Sequence, residues 1–156
     1  MMFERAVIHG CLVRVYGSGV LIVGEPGVGK TSICIELDRL GHDFIADDAV
    51  ELEYRGSKVF GCTPEATAGK MALLGDKIVP MPPLAAEVDR YSSVLIEIVI
   101  ELLSDRPSIS EMTVNESIRF VQRETIAVID ISAAARTLES LVLTKLAKGI
   151  GIRAYG

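Results

Sequence analysis

Gly24-Glu25-Pro26-Gly27-Val28-Gly29-Lys30-Thr31 is an unbroken match to the pattern G-x-x-x-x-G-K-[ST]. Glycines in these places let successive backbone N–H groups point into one concavity, and the start of a following helix adds the positive end of its dipole. The chemistry this serves is the binding of nucleotide phosphates. In such a loop Lys30 reaches the β- and γ-phosphates of ATP, and the Thr31 hydroxyl ligates Mg²⁺. The plain alternative is a glycine-rich turn from strand to helix that binds nothing. Ordinary residue usage gives the octet a chance occurrence under about 1% in a chain of this length.

Asp47 and Asp48 follow Thr31 by 16 and 17 residues. Two adjacent carboxylates beside a triphosphate repel unless a divalent cation is present, and Mg²⁺ bridging the β- and γ-oxygens supplies it. One Asp is then available to accept the proton of an attacking hydroxyl. Read without the loop, the pair is a solvated turn after a strand. His9, before Gly10, can approach the pair and tune it, although a lone histidine is more often a surface residue. Lys70, Arg90, Arg119 and Arg123 are further candidates for phosphate contact, with solvated surface charge as the ordinary reading.

The elements that must position these groups follow from local pattern. Residues 12–16 alternate like a strand, and the β-branched run 20–23 reads as a buried one. Gly17-Ser18-Gly19 between them marks a hairpin turn. Ile33, Leu37 and Leu40 recur at helical spacing, with Gly41 as the stop. Residues 44–46 form a short strand ending at the acid pair. This predicts a right-handed βαβ unit with 20–23 and 44–46 parallel and 31–40 as the crossover helix. Loops at the C-terminal ends of parallel strands share one sheet edge, so the acid pair is expected beside the phosphates.

Residues 50–54 and 58–60 flank Arg55-Gly56-Ser57 as a second hairpin. Residues 63–83 hold Pro64, Pro80, Pro82 and Pro83 and read as a long loop with one helical turn near 70–74. A loop of that length is a candidate for substrate contact. Strands are predicted at 95–103 and 126–131. A helix is predicted over 133–148, with Leu138, Leu141, Val142 and Leu146 on one face.

The chain of 156 residues fits one domain, 1–156, and its 49% apolar content is globular composition. A net charge of −5 argues against nucleic acid as partner. Cys11, Cys34 and Cys62 are scattered and odd in number, without metal-ligand spacing or a disulfide framework, which suits the reducing cytoplasm. The longest apolar run, residues 94–100, is interrupted by Glu97 and falls short of the ~20 residues of a membrane span. Glu4 and Arg5 interrupt any signal peptide at the start. No membrane role is expected.

The stretch from His9-Gly10 through Tyr16-Gly17 and Gly24, with Gly27-Val28-Gly29-Lys30-Thr31, Glu36-Leu37, Gly41-His42 and Ala46-Asp47-Asp48, closely resembles the catalytic domain of bacterial HPr kinase/phosphorylase. Residues 98–102 and 126–130 resemble two later strands of the family. The resemblance implies a P-loop α/β domain with a mixed sheet, distantly similar to phosphoenolpyruvate carboxykinase, that forms hexamers. It implies ATP bound by Gly24, Glu25, Pro26, Gly27, Val28, Gly29, Lys30 and Thr31, and Mg²⁺ held by Thr31 and Asp48. It further implies Asp47 as general base, His9 as support for the acid pair, and a serine of HPr or a related small protein as acceptor. Full-length members carry an N-terminal domain, and the resemblance implies a short form without it.

Two departures stand out. The family's Glu after the P-loop hydroxyl residue is Ser32 here, and its signature resembling Glu-x-Arg-Gly-x-Gly-Ile is Ala72-Leu73-Leu74-Gly75-Asp76-Lys77-Ile78. Leu74 in place of Arg weakens the expectation of phosphorylase activity while leaving the ATP loop untouched. A serine kinase is the leading expectation. A regulatory module that binds ATP without transfer, and a small-molecule kinase, are the alternatives.

Overall fold

The structure is a computed structural model that describes residues 5–63, 70–73, 77–80, 93–104 and 121–150. The chain runs through β1 (Arg5–His9), β2 (Cys11–Val15), β3 (Ser18–Gly24), α1 (Lys30–Arg39), β4 (Asp43–Ala46), β5 (Ala49–Arg55) and β6 (Lys58–Cys62). After these come β7 (Lys70–Leu73), β8 (Lys77–Pro80), β9 (Val94–Ser104), β10 (Gln122–Val128) and α2 (Ile131–Ile150). Eight strands share a mixed sheet in the order β1-β5-β6-β9-β3-β2-β4, with β10 also on β9.

Strand β3 is buried from Ser18 to Val23, and its run over residues 20–23 is apolar because both of its faces are covered. Val20 and Ile22 pack with Ile33, Cys34 and Leu37 of α1 and with Leu138 and Val142 of α2. Leu21 and Val23 join the opposite cluster, with Val50 and Leu52 of β5 and Val59 of β6. The sheet core is therefore sandwiched between two helices and the β1-β5-β6 strands. Strand β9 lies parallel to both β3 and β10, while its first two residues pair antiparallel with β6.

The expected β3-α1-β4 unit forms with one correction. Strands β3 and β4 run in the same direction but are not neighbours, because each pairs antiparallel with β2 between them. A two-residue turn delivers β2 straight onto one edge of β3, and β9 occupies the other, so β4 takes the outer edge of β2. That turn is Tyr16-Gly17, one residue before the expected place, with φ of 50° and 82°. Positive φ at both positions defines the hairpin turn whose twist matches its strands. Tyr16 is an unusual residue there, but its hydroxyl donates to Glu139 at 3.3 Å and its ring meets His42 edge-on at 4.7 Å.

Helix α1 ends as its sequence predicts. The N–H of Gly41 donates to the Asp38 carbonyl and that of His42 to the Leu37 carbonyl, both at 3.0 Å, a complete Schellman motif. Leu40, read as part of the buried face, is 39% exposed at the C-cap, where the helical stripe has already ended. The β5–β6 hairpin stands as expected.

Three boundaries differ from expectation. The helical turn near 70–74 is instead strand β7, paired antiparallel with β8. Four residues cannot nucleate a stable helical turn without further support, whereas the β-branched Ile78 and Val79 supply a partner ladder. The strand expected at 126–131 is β10, shifted toward the N-terminus, and its first half is polar because it is exposed. Helix α2 begins at Ile131 because Asp130 caps it, accepting the Ala133 N–H on its carboxylate at 3.2 Å and the Ala134 N–H on its carbonyl at 2.9 Å. Among the described residues, no helix is long and apolar enough to cross a membrane.

Candidate active site

The octet occupies the turn from β3 into α1. Its first half is a β-turn in which the Val28 N–H donates to the Glu25 carbonyl at 3.2 Å, with Pro26 and Gly27 at the centre. Pro at the first central position and Gly27 at φ 82° are what a type II turn requires. Gly29 then caps α1 with φ 118°, and no side chain caps the first turn of the helix, which also holds no acidic residue. The leading N–H groups and the positive dipole end of α1 are thus presented to an anion rather than to a carboxylate of the chain. Lys30 folds back over the loop, its ammonium donating to the carbonyls of Gly24 at 2.7 Å and Glu25 at 3.0 Å.

The acid pair arrives from β4 at the same edge. The Thr31 hydroxyl donates to Oδ1 of Asp47 at 2.7 Å, and the Cys11 thiol donates to the same oxygen at 3.3 Å. Asp47 is only 7% exposed, whereas Asp48 is exposed. The Ala49 N–H closes on the Asp47 carbonyl at 2.8 Å across Asp48, whose φ is 69°. This is a γ-turn of the rare positive-φ kind, a strained conformation of the sort that clusters at functional sites. The Gly10 N–H donates to the Asp48 carbonyl at 3.2 Å and ties the start of β2 to the turn.

Lys30, Thr31, Asp47 and Asp48 are therefore brought together, as their spacing predicts. His9 is placed differently from its expected contact. It pairs with Ala49 in the β1–β5 ladder, one residue past the acid pair, but its side chain is exposed and makes no hydrogen bond to either aspartate. Arg123 is exposed on β10 opposite Val99, three ladder positions short of Leu102, which pairs with Gly24. Lys70 opens β7, while Arg90, Arg119 and Leu74 lie outside the described residues.

Cys11 is the group that the sequence reading missed. Leu12 stands opposite Ala46, so Cys11 and Asp47 fall at the next cross-strand position. No local signal in the sequence carries that register. Cys34 is fully buried in the same cluster, and burial chiefly, with Cys11 and Asp47 adding, pushes its thiol well above its ordinary value.

The donor set is suited to a hard cation beside phosphate, since a hydroxyl and two carboxylates offer oxygen alone. The family model described as HPr Serine kinase C-terminal domain matches residues 1–150. HPr kinase/phosphorylase of Clostridium tetani is 43% identical over 77 residues, covering 49% of this chain and 25% of the relative. The protein of the same name from Clostridium acetobutylicum is 42% identical over 96 residues, covering 62% and 30%. These matches span about a quarter to a third of the curated relatives' length. The solved HPr(Ser) kinase/phosphatase from Coxiella burnetii shares the fold, with a TM-score of 0.71 at 20% identity over 92% of this chain and 97% of that one. Matched by that family model over residues 1–150, the chain belongs to the HPr serine kinase C-terminal domain family.

Proposed function

We propose that the chain is a cytoplasmic ATP-dependent serine kinase, transferring the γ-phosphate to a serine of HPr or a related small protein. The observation that carries this reading is the convergence of Lys30, Thr31 and Asp47 at one sheet edge, with the Thr31 hydroxyl bonded to the Asp47 carboxylate. A module that only holds nucleotide has no need of a general base, and the Asp47 carboxylate is placed to be one.

In this reading residues 24–31 wrap the phosphates with backbone N–H groups. Lys30 has three donors, of which two close its own loop, and it turns the third toward the β- and γ-oxygens. Thr31 and Asp48 would hold Mg²⁺, which when bound with ATP neutralises charge on the β- and γ-oxygens. The Thr31 oxygen keeps lone pairs for a cation while its O–H continues to donate to Asp47. Asp47 accepts the proton of the serine hydroxyl as its oxygen attacks phosphorus. His9 supports the pair through the β1–β5 ladder, where it stands opposite Ala49. A hexamer is the proposed assembly, supported by exposed Val7, Leu103, Ile129 and Leu143 and a mean hydropathy of +0.39. Light scattering that finds only monomer at micromolar concentration rejects it.

The direct test is incubation of the chain with labelled ATP, Mg²⁺ and HPr. Phosphoserine on HPr is the expected product. ATP binding with no transfer to HPr or to any other protein of the cell would instead identify a binding module. Phosphorolysis of phosphoserine-HPr, in which inorganic phosphate takes the phosphoryl group and leaves as pyrophosphate, should be much slower than the forward step, because it brings two anions together and position 74 offers Leu rather than Arg. Comparable forward and reverse rates would refute that asymmetry.

A further inference from the structure

The Cys11 thiol is a contact of Asp47 to which the phosphoryl-transfer reading gives no task. It is 1% exposed, and it donates to the oxygen that also accepts the Thr31 hydroxyl. The sheet aims it. Its strand is flanked on one side by β3, where Cys11 faces Ile22, and on the other by β4, where Leu12 faces Ala46. With the backbone held on both sides, a single side-chain torsion directs the sulfur. Cys34 beside it is kept as a neutral thiol chiefly by burial, so no thiolate competes with Asp47 for the Cys11 proton.

Thr31 sits on the first turn of α1, the element that meets the nucleotide phosphates in this reading. The Thr31 hydroxyl ties the carboxylate to that turn, and the Cys11 thiol ties the same oxygen to the sheet. We propose that Cys11 is a positioning residue for phosphoryl transfer, its thiol locking the Asp47 carboxylate in the orientation that receives the acceptor's proton. This rests on the reading of Asp47 as the base. An S–H group is a weak donor, so the effect is one of aim and not of charge.

Three variants and one spectrum test it. Cys11→Ala should lower kcat on the order of tenfold with the KM for ATP changed less than about twofold, since small misplacement of a reacting group is costly. Cys11→Ser should recover most of the loss. Val15→Ala trims a buried side chain of the same strand and the same apolar cluster, at the end of β2 away from Asp47, and should lower the melting temperature while keeping kcat. Equal loss of kcat in Val15→Ala, or none in Cys11→Ala, would overturn the proposal. The infrared S–H stretch of Cys11, isolated by subtracting the Cys11→Ala spectrum, should lie at lower wavenumber in the wild type than in an Asp47→Ala background. An unchanged band also overturns it, and needs no turnover to be read. Failure of the kinase reading looks different: wild-type protein then transfers no phosphate at all, whatever stands at position 11.

Discussion

The hydroxyl of Thr31 and Oδ1 of Asp47, sixteen residues apart in the chain, are 2.7 Å apart in space. One belongs to the first turn of α1 and the other follows β4, and β2 lies between the strands that carry them. The bond couples the phosphate loop to the acid pair. Each side of it can therefore be perturbed separately, and four measurements follow from that arrangement and the fold around it.

Lys30→Ala removes the loop's only ammonium. A charge-assisted hydrogen bond contributes about 1.5–3 kcal/mol, so Kd for Mg²⁺-ATP should rise roughly 10- to 150-fold. The fold should persist, because Lys30 is bonded only to the carbonyls of Gly24 and Glu25. Calorimetry that finds undiminished affinity would remove this loop from the site.

Asp47→Asn keeps an oxygen for Thr31 and Cys11 but no longer accepts a proton. Nucleotide affinity should stay near wild type while the transfer rate falls on the order of 10² to 10⁴, the span expected for loss of a general base. Single-turnover rates at saturating ATP measure this. A loss smaller than tenfold would mean that another group takes the proton.

Gly29→Ala should destabilise the fold and weaken ATP binding together. The φ of 118° is costly for any residue with a side chain, and a Cβ there would lie 2.8 Å from Cδ1 of Ile131. Strain of this kind costs about 1–3 kcal/mol, and each kcal/mol is worth roughly 2–4 °C in melting temperature at this size. A variant melting with the wild type would show that the loop's shape does not depend on this glycine.

Asp38 near the end of α1 has its carboxyl raised above the ordinary value of 3.8, first by burial and then by Asp43. The negative end of the helix dipole acts in the same sense. A raised acid holds its proton more tightly in the folded state, so its contribution to stability is full below 3.8 and is lost as pH rises through the folded value. Asp38→Asn should therefore raise the melting temperature at neutral pH. That gain should shrink on acidification and vanish below the unfolded value. A gain that persists undiminished to low pH would count against this cause.

Much of the site was legible before any coordinates. The type II turn is written in Glu25-Pro26-Gly27-Val28, the helix stop in Gly41, and the phosphate chemistry in Lys30-Thr31, because each depends on backbone preferences acting within a few residues. Strand β3 read as buried because a run of β-branched residues has no solvent face to leave polar. The N-terminal boundary of α2 was legible too, in the capping Asp130, but periodicity alone placed it two residues late. Strand β10 was misplaced because its exposed half carries Gln122, Arg123 and Glu124, which have no strand pattern.

By itself, then, the sequence determined the local geometry that holds phosphate and the fact that an acid pair must end the next strand of the same direction. Tertiary structure alone decided that β2 stands between those strands, that Cys11 thereby meets Asp47, and that His9 is carried past the pair with its ring in solvent. The reason is physical. Turn and cap preferences are short-range and are settled by neighbouring residues, whereas cross-strand register is a choice among competing pairings, settled only when both faces of the sheet find their partners.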